Sequence, residues 1–151
     1  MILYSFRYSL YIKVNYCASV VGNVVSLCRN MSKNLLFTTS TELVCVNSDA
    51  IVHITAEGNY STIKMADGSE YTLTVQLGQM ERRISEMVEK DDHRFIRIGK
   101  SLIINCEYIT FINPARQKLI LSDCRTFRYE VSASKDALKA LKEFIEEEAL
   151  K

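Results

Sequence analysis

Proline occurs once and glycine five times in 151 residues, and tryptophan is missing. So little chain-breaking material excludes collagen-like, linker-dominated and disordered classes. The five cysteines form no Cys-x-x-Cys pair, and there are only two histidines. That excludes a disulfide framework and a structural zinc site and points to a reducing compartment, the cytoplasm. No charge of one sign dominates, with Lys+Arg at 19 against Asp+Glu at 18. No global field therefore recruits nucleic acid or anionic membrane, and any electrostatic function has to come from local clustering. Long apolar runs are lacking too. Val14 to Cys28 is uncharged but broken by Asn15, Gly22 and Asn23, short of the roughly 18 to 20 residues of a spanning helix. Neither a membrane span nor, with Ala18-Ser19-Val20 as a poor cleavage site, a signal peptide is expected.

What is present suits one globular domain with an appendage: 48% hydrophobic and 25% charged residues in 17.3 kDa. Residues 1–30 differ from the rest, holding three bases (Arg7, Lys13, Arg29) and no acid. Met31-Ser32-Lys33 reads as a second, more conventional start, so 1–30 is taken as an N-terminal extension and 31–151 as the domain.

From Leu35 onward short β-type runs alternate with turn residues. Leu43–Val46, Ile51–Ile54, Tyr60–Met65 and Glu70–Val75 come first, the last two joined by Asp67-Gly68, a strong hairpin signal. Four antiparallel neighbours are the simplest topology for them. Leu77, Met80, Ile84, Met87 and Val88 then share one helical face. Strand character returns at Phe95–Ile98, Leu102–Ile104, Tyr108–Ile112, Lys118–Leu121 and Thr126–Val131. A final helix follows, with Ser134 placed to cap it and Leu138, Leu141 and Ile145 recurring along it. The fold class is mainly β, with a mid-chain and a C-terminal helix.

Catalytic chemistry finds no foothold. His53 sits in a β-type run and reads as a half-buried strand residue, while Asp91-Asp92-His93 reads as a loop between helix and strand. Cys45, Cys106 and Cys124 lie in or beside apolar runs, where free cysteine acts as a small hydrophobe. No phosphate-cradling glycine loop and no nucleophile elbow occurs. No enzyme, cofactor, metal or small-molecule substrate is expected.

Charge is distributed unevenly. Between Arg94 and Lys135 stand eight bases (Arg94, Arg97, Lys100, Arg116, Lys118, Arg125, Arg128, Lys135) against three acids (Glu107, Asp123, Glu130). Positive charge concentrated on part of a near-neutral domain suits a binder of phosphate backbone. If about five phosphates were neutralised, the log–log salt slope would be roughly −4 to −5.

Three strings are more specific than composition. Ile51-Val52-His53-Ile54-Thr55-Ala56-Glu57-Gly58-Asn59-Tyr60 resembles the I-x-Y-I-E-A-x-G-N-Y opening of the LytTR DNA-binding domain, the output domain of LytR-type bacterial response regulators. Phe95 to Asn105 resembles its F-x-R-x-H-R-S-x-x-V-N signature, and Val131-Ser132 its closing V-S. The resemblance spans roughly Leu35 to Phe144. It implies about ten short, mostly antiparallel strands in several small sheets. It also implies binding of double-stranded DNA through inter-strand loops in successive major grooves, with phosphate contacts for position and a few side chains for base reading.

Carried onto this chain, the resemblance places Asn59, Tyr60 and Ser61 in a first DNA-facing loop, and Arg97, Gly99, Lys100 and Ser101 in the signature segment. Gly99 stands where the family has His, and Lys100 where it has Arg, keeping a charge but losing the planar fork suited to guanine. Ala133 replaces the Arg after V-S, leaving Ser132, Ser134 and Lys135 to serve the closing segment. Arg97 and Asn105 fit a structural hydrogen-bonding role equally well. The expectation is a cytoplasmic bacterial transcriptional regulator without a receiver domain, and a homodimer on tandem half-sites is compatible with it. The alternative is a β-rich protein-interaction module that kept the fold and lost DNA reading.

Overall fold

The computed structural model describes residues 34–88 and 93–151. The extension at 1–30 and the Asp91-Asp92 part of the expected loop lie outside the described residues. Ten strands and two helices are found among the described residues: β1 (Asn34–Thr38), β2 (Leu43–Asn47), β3 (Ile51–Glu57), β4 (Tyr60–Met65), β5 (Glu70–Leu73), α1 (Leu77–Met87), β6 (Phe95–Ile98), β7 (Leu102–Asn105), β8 (Ile109–Asn113), β9 (Lys118–Ser122), β10 (Arg128–Ser132) and α2 (Lys135–Ala149). They form a central five-stranded sheet in the order β5-β4-β3-β7-β6, a three-stranded sheet β10-β9-β8, and a two-stranded ribbon β1-β2. The pairings within the two larger sheets are antiparallel.

Apolar residues on both faces of the central sheet explain why it is covered twice. Ile51, Ile54, Ile63, Leu73 and Ile103 pack with Leu77, Met80 and Ile84 of α1 and with Leu35, Phe37 and Val46 of the ribbon. Val52, Ile98, Leu102 and Ile104 pack instead with Leu119 and Leu121 of the small sheet and with Leu138 and Leu141 of α2. All four residues of β7 are buried, as a strand covered on both faces requires. In β3 the register shifts between Ile51 and His53, so Ile51 and Ile54, three apart, both reach the first core while Val52 reaches the second. A bulge is the device that breaks a two-residue period in this way.

The mainly β class with two helices is as expected, but one pairing differs. β3, β4 and β5 are antiparallel neighbours, whereas β2 leaves them for β1, and β3 takes β7 as its other neighbour. Cys45 and Cys124 are exposed, not packed as small hydrophobes; Cys106 is half-buried, and burial pushes its thiol up to about 11. His53 is half-buried as expected, edge-on to Tyr129 at 5.7 Å between ring centres. Burial first, then the Lys64 charge, lowers its pKa to about 4.

Candidate nucleic-acid interface

Antiparallel pairing of β3 with both β4 and β7 brings the β3–β4 and β6–β7 turns to one end of the central sheet. Thr55 is level with both Thr62 and Leu102, and the Ala56 N–H donates to the Ser101 carbonyl at 2.8 Å. In the first turn Gly58 takes φ +59° and Asn59 is exposed. The Asn59 side-chain oxygen accepts from Gln76, which precedes α1, at 3.5 Å. Tyr60 points outward at 54% exposure, and the pleat sends its neighbour Ser61 inward at 0%. The Ser61 hydroxyl donates to the Val75 carbonyl at 2.6 Å. Ser61 is thus a buried tie between β4 and the segment before α1, and its side chain does not reach the surface.

The second turn, residues 99–101, is exposed throughout. Gly99 has φ +63°, and a Cβ there would meet nothing within 4 Å. Backbone conformation, not crowding, therefore calls for glycine at this position. Arg97 on β6 faces this turn from below. It donates to Glu81 of α1 at 2.8 Å and to the carbonyls of Gly99 and Lys100 at 3.3 and 3.4 Å. These bonds occupy its fork, so Arg97 braces the turn. Asn105 is structural as well: fully buried, it donates to the Ile51 carbonyl at 2.9 Å and accepts from the Glu107 N–H at 3.0 Å.

The closing segment forms a third loop. The Ser132 hydroxyl and the Ala133 N–H both donate to the Gln117 carbonyl, at 3.2 and 3.4 Å. Ser134 caps α2, its hydroxyl accepting from the Ala137 N–H at 3.3 Å, and Lys135 opens the helix, exposed. Ala137 and Gly99 line the same groove, of about 790 Å³, between α1, β6 and α2. The first turn of α2 and the β6–β7 turn thus border one groove.

Electrostatics thin out the cluster read from the sequence. Arg94 pairs with Asp49, Arg97 with Glu81 and Lys118 with Glu130. Arg125 and Arg128 stand at the β9–β10 end of the small sheet, with Ser122 beside Arg128. Lys100, Arg116 and Lys135, and with them Arg125 and Arg128, are exposed and make no ion pair among the described residues. From sequence Arg116 counts among the eight bases without a place at the DNA, and Gln117, its neighbour in the β8–β9 turn, is not singled out. The carbonyl anchoring of Ser132 and Ala133 reveals their place beside the third loop, which the local Asn113-Pro114 turn does not by itself encode.

A family model described as the LytTr DNA-binding domain matches residues 41–146. The chain belongs to the LytTR family of DNA-binding domains. DNA binding and transcription regulation are accordingly its general function, and DNA is its partner. The fold agrees with a solved LytTr DNA-binding domain from Bacillus cereus. That structure is 18% identical, with a TM-score of 0.50, over 75% of this chain and 96% of that one. No curated protein matches the chain significantly. Among the described residues no helix is long and apolar enough to cross a membrane.

Proposed function

We propose that this LytTR domain reads double-stranded DNA in a sequence-specific way through the loops at one end of its sheets, as a cytoplasmic bacterial transcriptional regulator. Asn59 and Tyr60 at the first turn, Gly99, Lys100 and Ser101 at the second, and Ser132, Ser134 and Lys135 at the third form the contact surface in the major groove. Arg97 acts behind them as a positioning residue. One observation carries the reading: Lys100 and Lys135, on the second and third loops, lack ion pairs among the described residues, as do Arg116, Arg125 and Arg128, while Arg94, Arg97 and Lys118 are each held by a carboxylate. Free cations on projecting loops are what phosphates can engage, because each one neutralised releases condensed counterions. The small number of such cations on these loops favours two copies side by side on tandem half-sites.

The test is an anisotropy titration with duplex DNA from the chain's own promoter, using the wild type and Lys100→Ala. Lys100→Ala is expected to weaken binding to every duplex by a similar factor, as loss of a phosphate contact does. Full affinity in that variant would remove the β6–β7 turn from the interface. Absence of any affinity in the wild type would favour a protein-interaction module.

A further inference from the structure

Resting on that reading of the loops, we infer that Arg116, in the β8–β9 turn, is the guanine-reading residue of this domain and takes the base-contact role that Ala133 cannot fill. Reading a guanine edge takes a planar fork that meets O6 and N7 together, which a lysine ammonium does not supply. At the loop end of the molecule two arginines are available, Arg97 and Arg116. The Arg97 fork is held by Glu81, the Gly99 carbonyl and the Lys100 carbonyl. The Arg116 side chain is exposed and engages no acid or carbonyl among the described residues.

Its backbone, in contrast, is fixed. The Arg116 N–H donates to the Asn113 side-chain oxygen at 3.0 Å, and the Gln117 N–H donates to the Pro114 carbonyl at 3.1 Å, closing a tight turn. Gln117 takes φ +53°, a left-handed conformation uncommon for a residue with a side chain. That conformation directs the Gln117 carbonyl at Ser132 and Ala133, which both donate to it. Arg116 is therefore one residue away from the anchor of the β10–α2 loop, in which Ala133 is half-buried against the second core and offers only a methyl group. A rigid turn with a free, long, forked side chain loses little backbone freedom on binding.

The experiment selects a duplex with the wild-type chain from a randomised pool, then compares that duplex with an unselected one for Arg116→Lys, Arg116→Ala and Arg125→Ala. Arg116→Lys keeps the charge, and the expected result is an affinity loss of about 5- to 150-fold on the selected duplex with little change on the unselected one. Arg116→Ala should lose affinity on both. Arg125 is exposed at the far end of β9, about 15 Å away along the strand, so Arg125→Ala should keep the preference for the selected duplex. Retention of the full preference by Arg116→Lys would overturn the assignment while leaving DNA binding by the other loops intact. A wild type that enriches no duplex would overturn the assignment and the reading beneath it together.

Discussion

The guanidinium of Arg97 donates to Glu81 at 2.8 Å and links α1 to the β6–β7 turn, whose Gly99 and Lys100 carbonyls it also reaches. One side chain thus couples a helix in the first core to a loop that carries a free cation. Replacing Arg97 with Lys keeps the charge but cannot hold three acceptors in one plane. Arg97→Lys should lower affinity for duplex DNA by about fivefold, the equivalent of about one hydrogen bond's net stabilisation of the turn. The salt slope should stay as in the wild type, because no phosphate contact is lost. A reduced slope in the same titration would make Arg97 a phosphate ligand and not a brace.

Ser61 supplies a contrasting case. Its fully buried hydroxyl donates to the Val75 carbonyl, so Ser61→Ala removes a buried hydrogen bond. Urea unfolding should show a loss of about 1 to 3 kcal/mol, the upper end applying if the carbonyl is left without a donor. DNA affinity should be unchanged where the variant is fully folded. Undiminished stability with weakened DNA binding would return Ser61 to the contact surface.

His53 makes stability depend on pH. Its pKa falls from 6.5 in the unfolded chain to about 4 in the fold, chiefly through burial and then through the Lys64 charge, with Glu70 opposing. Between these values the unfolded state binds the proton and the folded state does not, so stability rises with pH across this window and is level above it. At about 1.36 kcal/mol per pH unit the contribution is about 3 kcal/mol. Its Nδ1 is buried with no hydrogen-bond partner among the described residues, and its ring meets Tyr129 edge-on, so His53→Phe keeps the aromatic contact and removes the titration. Urea midpoints at pH 4 and pH 7 should converge in His53→Phe relative to the wild type. An unchanged difference would place the pH dependence elsewhere.

Elements with a clear local signal were legible in the sequence. The Asp67-Gly68 hairpin, the apolar face of α1 and the Ser134 cap each depend on neighbours within a few positions. The partner of β2 was not, because β2 and β3 look alike as strands and only the packing of Phe37 and Leu35 against the first core draws β2 into the ribbon. The candidate site was half legible. Motif strings located the turns at Asn59 and Lys100, but alternation alone could not say that Ser61 faces inward. Ion pairs posed the same difficulty: Glu81 is 16 positions from Arg97, and Asp49 is 45 positions from Arg94. A count along the chain therefore could not say that Lys100, Arg116, Arg125, Arg128 and Lys135 are the bases left without a carboxylate among the described residues.

The most direct measurement is the affinity of the wild-type chain for its selected duplex as salt rises from about 50 to 200 mM. With Lys100, Arg116 and Lys135 as the free cations at the loop end, at most about three phosphates are neutralised per domain. The expected log–log slope is therefore about −2 to −3, shallower than the value read from the sequence. A flat salt dependence, or no binding at the lowest salt, would contradict DNA recognition by these loops.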